Sequence, residues 1–448
     1  VITALPRRVA AATMVGTTLE WYDFMLYGTA SALIFSKQFF PTLSPAAGTL
    51  AAFSTFAVGF GARPLGGLIF GHFGDRIGRR STLIASLLLM GLASTAIGLV
   101  PNYASIGVWA PVLLVALRLI QGVGLGGEGT GAVVLSMEYA PPGLRNRYAS
   151  YPQMGTPGGL ILANAIFLGV SALLPESAFL EWGWRIPFLL SAVLLLVGLL
   201  VRVGIEESPD FIAARTRGEV VAFPLRESLR LGPIRLLLIL GAAVATGVVV
   251  YLFMAFTLTY GVKDLGLSRN YLLLAVIVAA VLWCASMPLW GALGDRFGTR
   301  WIFAIGLGAL LVWCAVYFPL LDTGSRAAVW VALLGMGVVL PIGHSVGGII
   351  IADLFPANVR YSGASLVVQA SIVVGGFAPL IATALWESSG GSGWVTLFAV
   401  GTCAVSLLAT IALFWLLPQP PMPSAPTSAA VSRVVTSSGG QPHTTAKS

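Results

Sequence analysis

The sequence predicts an all-α integral membrane protein of twelve transmembrane helices, arranged as two parallel, pseudo-symmetric six-helix bundles. Three observations carry that prediction. The 448 residues are 57% hydrophobic and only 9% charged, against about 25% charged in soluble globular chains. So few charges cannot cover a water-exposed surface, and the chain must bury itself in lipid. Twelve apolar runs approach the roughly 20 residues that a membrane helix needs. Finally, a charged, glycine-rich turn occurs twice, as Gly71-His72-Phe73-Gly74-Asp75-Arg76-Ile77-Gly78-Arg79-Arg80 and as Gly291-Ala292-Leu293-Gly294-Asp295-Arg296-Phe297-Gly298-Thr299-Arg300. The copies lie 220 positions apart, about half the chain, and each sits between two apolar runs. A repeat at half length marks a duplicated bundle.

The first span is 12–34. It follows Arg7 and Arg8, exceeds the length of a signal-peptide core and lacks a small-residue cleavage site, so it reads as a membrane helix. Five more follow at 49–70, 82–100, 109–136, 149–173 and 185–204. The polar stretch 205–233 then opens with Glu206-Glu207-Ser208-Pro209. Its mixture of Arg, Glu and aliphatic residues reads as short amphipathic helices on the membrane surface. Spans seven to twelve are 236–260, 270–290, 301–320, 327–352, 362–386 and 394–416. The tail is rich in Pro, Ser and Thr, has no heptads and reads as disordered. The expected organisation is an N-terminal bundle (1–204), a central loop (205–233), a C-terminal bundle (234–417) and a tail (418–448).

Charge sets the orientation. The net charge is +8, but the basic residues gather in alternate loops rather than in a nucleic-acid-binding patch. Arg76, Arg79, Arg80, Arg145, Arg147, the five arginines between 215 and 235, Arg296, Arg300 and Arg360 fall on one side. The other side has only Lys37, Arg185, Lys263, Arg269 and Arg326. This positive-inside asymmetry puts both termini and the central loop in the cytoplasm. The three cysteines, Cys284, Cys314 and Cys403, lie in apolar runs with neither metal-ligand nor disulfide spacing.

A second repeat supports the duplication. Glu138-x-x-Pro141-x-x-x-Arg145 ends the fourth span and Asp353-x-x-Pro356-x-x-x-Arg360 ends the tenth, at an offset of 215. Both motif pairs fall on the cytoplasmic side, which makes the halves parallel. Together these loops read as a gate. Asp75 can cap a neighbouring helix N-terminus, and Arg76, Arg79 and Arg80 can pair with acids of the opposite half. Glu138, Arg145, Asp295, Arg296, Arg300, Asp353 and Arg360 occupy the corresponding places. The alternative is that the arginines only set topology. Thr299 stands where the first copy has an Arg, so the second latch is expected to be the weaker one.

Gly71 to Arg80 resembles the signature loop of the major facilitator superfamily, and Arg118-Leu119-Ile120-Gln121-Gly122-Val123-Gly124 resembles its helix 4 motif. Further segments narrow the resemblance to its metabolite:proton symporters: Glu20-Trp21-Tyr22-Asp23-Phe24, Arg63-Pro64-Leu65-Gly66-Gly67, Gly126-Gly127-Glu128, Trp182 to Phe188 and Glu206 to Pro209. The resemblance covers roughly residues 10–417. It implies transport of small organic acids, such as dicarboxylates, citrate or shikimate, or of zwitterionic osmolytes such as proline and betaine. It also implies a multi-pass protein of the bacterial inner membrane, driven by the proton gradient without a cofactor and functional as a monomer.

Charge inside the spans carries the chemistry. Glu20, Asp23, Arg63, Arg118 and Glu128 would together cost on the order of 15 kcal/mol if unpaired at helix centres. Glu20, Asp23 and Tyr27 share one face of the first span, and Arg118, Gln121 and Glu128 share one face of the fourth. At about 1.5 Å per residue, Glu20, Asp23, Arg63 and Glu128 fall near the midplane, with Arg118 farther out but able to reach Asp23. These residues point to Asp23 as the proton-coupling carboxylate with Arg118 as its switchable partner, since a nearby guanidinium favours the ionised acid and separation disfavours it. The resemblance supports the pair, because related sugar–proton symporters join a helix 1 Asp to a helix 4 Arg. A static ion pair is the alternative. Glu20 and Glu128 are rival proton sites. Arg63 suits a substrate carboxylate, which a guanidinium meets bidentately, or else is a permanent counterion. Tyr27, Gln121, His344 and Gln369 complete the candidate substrate contacts, each with packing as the competing reading.

Symport of a proton with a small organic anion is the leading expectation. The rivals are zwitterion symport, proton antiport and a non-transporting sensor. An enzyme is not expected: no nucleophile–base pair, metal cluster or phosphate loop is present.

Overall fold

The computed structural model describes residues 4–67, 69–70, 79–126, 131–138, 140–203, 232–355 and 360–416. It is helical, with no strand among the described residues. This is what lipid demands of a chain that must satisfy its own backbone hydrogen bonds.

Twelve long helices follow one another. In the N-terminal half, α1 is Ala4–Ala30, continued through Ser31–Phe35 and Ser36–Phe39. Next come α2 (Pro45–Gly67), α3 (Arg79–Leu99), α4 (Trp109–Gly126), α5 (Arg145–Leu173) and α6 (Gly183–Leu200). A further helical segment, Gly131–Glu138, follows α4. The C-terminal half has α7 (Pro233–Lys263), α8 (Arg269–Phe297), α9 (Thr299–Asp322), α10 (Arg326–Asp353), α11 (Gly363–Ser389) and α12 (Gly393–Trp415). Ten of these are long and apolar enough to cross a membrane. The other two are α1, whose apolarity is lowered by Glu20 and Asp23, and α3, whose apolar part is Ile84–Leu99. The residues 204–231 of the central loop and the tail from 417 onward lie outside the described residues.

The π-turns leave no signal in the sequence. Ser31–Phe35 in α1 and Leu252–Phe256 in α7 both widen to π-helix. They are 221 positions apart, which matches the spacing of the repeated loops and extends the duplication to the helix backbone. The two turns lie near each other, and Thr259 of α7 donates to the Ala32 carbonyl of α1 at 3.2 Å.

Small residues set the closest helix crossing. In α4, Gly122 lies against the backbone of Gly59 in α2, and a Cβ at 122 would collide with the Gly59 carbonyl oxygen. Gly126 meets the carbonyl of Arg63 in the same way. Membrane helices lack a hydrophobic force between them, so such backbone contact is a main source of cohesion. Overpacking costs about 1–3 kcal/mol even where side chains can yield, and here a backbone would have to move. Gly122→Val is therefore expected to lower the melting temperature of the purified protein clearly. Melting followed by tryptophan fluorescence checks this, and an unchanged midpoint contradicts the packing.

Candidate functional site

Inside the N-terminal half lies a sealed polar chain. Asp23 on α1 is buried and accepts from Ser191 Oγ on α6 at 2.5 Å. Ser94 on α3 stands next to the same carboxylate. Ser94 Oγ in turn accepts from Gln121 Nε2 on α4 at 2.6 Å, and Gln121 Oε1 accepts from Arg118 Nη1. Gln121, Ser94 and Arg118 are wholly buried. The expected direct Asp23–Arg118 pair is therefore replaced by a two-residue bridge. Helical spacing did put Arg118 and Gln121 on one face, but it could not show that the amide would occupy the gap.

The rest of the Arg118 guanidinium is held by rings. Its Cζ lies 4.1 Å from the Tyr27 ring centre, 4.2 Å from Phe24, 5.1 Å from Phe56 and 5.8 Å from Phe60. Nε and Nη2 have no hydrogen-bond partner among the described residues. Desolvated cation–π contacts of this kind can contribute about 2 kcal/mol each. Gly59 leaves the room, since a Cβ there would collide with the guanidinium. Tyr27 bonds Thr55 at 2.7 Å and forms part of this cage, and Gln121 belongs to the polar chain. Of the five candidate substrate contacts, only His344 lines the cavity between the halves; Tyr27, Gln121, Arg63 and Gln369 do not.

That cavity has a volume of about 120 Å³. The N-terminal half contributes Trp21, Gln153 and Thr156, and the C-terminal half contributes Thr246, Tyr251, His344 and Ser371, with aliphatic residues between them. The lining holds no Asp, Glu, Lys or Arg among the described residues. Gln153 Nε2 donates to the His344 carbonyl across the halves at 3.3 Å. The His344 ring leans on Trp283, with centroids 5.3 Å apart. Tyr251 stands between cavity and cage, its ring 4.9 Å from Phe60 and 5.9 Å from Phe56. Beside it, Arg63 Nε donates to Gln369 Oε1 at 2.9 Å, tying α2 to α11. Glu20 precedes the cavity residue Trp21 and is only partly buried. Glu128 lies outside the described residues.

The halves are tied at both ends. At the end bearing the second Gly–Asp–Arg loop, the Asp295 carboxylate of α8 accepts from the backbone N–H of Asn146 at 2.7 Å and of Arg147 at 3.1 Å. It also accepts from Asn146 Nδ2 at 3.0 Å. Asp295 thus caps α5 from the opposite half, satisfying N–H groups that a helix start leaves open. Arg145 grips Asp353 at 3.0 and 3.3 Å. Thr299, expected to weaken this copy, donates to Asn146 Oδ1 at 3.1 Å and adds a tie. Arg296 stacks over Phe297 and Arg300 over Phe414, both within their own half. Asp75 and Arg76 lie outside the described residues, as do the side chains of Arg79, Arg80, Glu138 and Arg360.

At the opposite end, Arg269 pairs with Glu176 at 3.1 Å, bonds Ser171 and covers the Phe179 ring at 4.2 Å. Lys263 Nζ reaches Thr49 Oγ1 and the Pro45 carbonyl. Sequence reasoning missed these ties, together with Ser94, Ser191 and Gln153. Isolated polar residues in apolar spans give no signal until their neighbours are known.

Comparison with known proteins adds a lineage. The sequence model of the Major Facilitator Superfamily matches residues 13–366 and 284–443. The chain is 40% identical over 414 residues to the inner membrane metabolite transport protein YhjE of Escherichia coli, covering 90% of this chain and 93% of that protein. It is 39% identical to the shikimate transporter of Escherichia coli, over 90% and 94% of the two chains. To the glycine betaine/proline/ectoine/pipecolic acid transporter of Dickeya dadantii it is 34% identical, over 86% and 78%. Among solved structures, the D-xylose-proton symporter superposes with a TM-score of 0.70 at 18% identity, over 92% and 97% of the chains.

Proposed function

The chain belongs to the major facilitator superfamily and is a multi-pass membrane transporter rather than an enzyme, and from that premise we propose that it carries a small organic anion together with protons by alternating access. The observation that carries this reading is the buried Asp23, separated from a caged Arg118 by Gln121 and Ser94 and kept apart from the central cavity. A carboxylate costs several kcal/mol to bury in lipid, and a proton gradient gives it a use. Asp23 is the proton site in this reading, and Arg118 the cation that favours its ionised form. Glu20 and Glu128 stand as further acids of the same half. Arg63, buried and bonded to Gln369 between the halves, would offer its fork of donors to a substrate carboxylate once that tie opens, with His344 in the cavity wall as a further polar contact. The shikimate transporter among the relatives supports an organic-acid substrate.

The two sets of ties serve as alternating gates in this reading. Asp295, Arg145 and Asp353 close the side of the termini, taken as cytoplasmic from the arginine asymmetry. Arg269, Glu176 and Lys263 close the other side. An inner-membrane location follows the name of the first relative.

A second reading is favoured by the uncharged cavity wall. Trp21 and Tyr251 offer aromatic faces to a quaternary ammonium, and a relative carries betaine and proline. Thermal-shift screening of purified protein against organic acids and betaines, at two pH values, separates the two. Stabilisation by carboxylates, larger at the lower pH, is expected for proton-coupled anion transport. Stabilisation by betaines alone overturns that reading in favour of the zwitterion.

A further inference from the structure

The polar chain between Arg118 and Asp23 has a direction, and chemistry fixes it. A guanidinium only donates hydrogen bonds. The Gln121 atom facing Arg118 must therefore be its carbonyl oxygen, which turns the amide N–H₂ toward Ser94. Ser94 Oγ receives that N–H, which leaves its own hydrogen free to turn to the neighbouring Asp23 carboxylate. Ser191 donates its hydroxyl hydrogen to the same carboxylate from the other side. Every donor in the chain points toward Asp23. The remaining neighbour of the same helix, Tyr22, spends its hydroxyl on the Pro187 carbonyl at 2.7 Å and does not compete.

We infer that Gln121 and Ser94 are positioning residues for proton coupling: they form a one-way hydrogen-bond relay that carries the influence of Arg118 to Asp23 without an ion pair. Hydrogen bonds in series polarise one another in a dry interior, so the carboxylate is favoured by a cation that it does not touch. A protonated Asp23 carries a hydrogen of its own and needs an acceptor for it. Ser94 or Ser191 must then rotate its hydroxyl, and if Ser94 rotates, the link to Gln121 and Arg118 changes with it. Loading a proton thereby alters how Arg118 is held. The ring cage connects that event to the cavity, because Phe60 and Phe56 touch both Arg118 and Tyr251. Gln121 thus acts on the proton and not on the substrate.

This inference rests on Asp23 being the coupled acid. The test measures two rates in proteoliposomes with radiolabelled shikimate as probe, or with the best stabiliser from the thermal-shift screen if shikimate is not bound. One is exchange between equal internal and external pools. The other is uphill accumulation under an inward proton gradient. Gln121→Leu and Gln121→Met remove the amide and keep its bulk; a melting curve shows which of them folds. Accumulation is expected to fall about tenfold, the effect of losing one hydrogen bond to a charged group, while exchange stays within about twofold of wild type. Ser94→Ala is expected to behave in the same way and Ser94→Thr, which keeps a hydroxyl, to restore accumulation. Wild-type accumulation in a folded Gln121 variant overturns the relay. So does a parallel loss of exchange and accumulation, which would mark Gln121 as a substrate or packing residue. Asp23→Asn in the same assay separates the two levels. If that variant still accumulates substrate, the coupling assignment itself fails; if it does not and Gln121→Leu does, only the relay fails.

Discussion

An Asp23→Asn variant is expected to exchange substrate across the membrane and to accumulate none. Asparagine keeps the size of the side chain and can still accept from Ser191, so the packing of α1 against α6 is preserved. What it cannot do is change its proton content. Each proton carried down a gradient of one pH unit supplies about 1.4 kcal/mol, which is tenfold in the concentration ratio that transport can sustain. Without a titrating group the ratio falls to one. Exchange survives because the cavity residues Tyr251, His344 and Gln153 lie outside the polar chain. Counterflow and gradient-driven uptake in the same vesicles give the comparison directly. Undiminished accumulation by Asp23→Asn contradicts the assignment, whatever its effect on rate.

The second large effect concerns the gate. Asp295→Ala is expected to shift the protein toward a state open at the side of the termini. Three hydrogen bonds from the first turn of α5 in the other half end on this one carboxylate, two of them from backbone N–H groups. Losing a capping side chain costs about 0.5–2 kcal/mol, and losing the negative charge from a helix N-terminus adds about 0.3–1 kcal/mol. A total near 2 kcal/mol changes a two-state ratio by roughly 30-fold. Arg145–Asp353 and Thr299–Asn146 remain, so the ends separate more often without coming apart. A native reporter sits at the junction. Cys284 is half-buried on α8 with Sγ 3.9 Å from the Met154 carbonyl of α5, while Cys314 and Cys403 are buried within the C-terminal half. Labelling of Cys284 by a bulky, water-soluble maleimide should speed up in Asp295→Ala, with the other two cysteines silent. An unchanged rate argues against a latch at Asp295.

Much of this was legible in the sequence, and the illegible part has a physical reason. Hydropathy pointed to helices at all twelve places, ten of them long and apolar enough to cross a membrane, because a lipid-facing helix must be apolar over a fixed length. The second loop could be read as a gate because a Gly–Asp–Arg turn between spans offers a cap and charges at a membrane surface. Asp295, Arg145 and Asp353 do meet across the halves. The interior was harder. Helical periodicity says which residues share a face, and it grouped Arg118 with Gln121 correctly. It does not say which helix that face meets. Gln121 therefore looked like a cavity residue and turned out to span the gap to Ser94. Tyr27 looked like a substrate contact and turned out to cage Arg118. The π-turns of α1 and α7 escaped because neither segment contains a proline or glycine that would flag a distortion.

Substrate-driven proton movement tests the central claim most directly. Wild-type protein is reconstituted into vesicles containing a trapped pH dye, with equal pH on both sides and the potential clamped. The organic acid that stabilises the protein best is then added outside. Proton-coupled symport predicts that the lumen acidifies as the acid enters, at a rate that follows the labelled substrate and is abolished in Asp23→Asn. Entry of the labelled acid with no change in luminal pH would contradict the account.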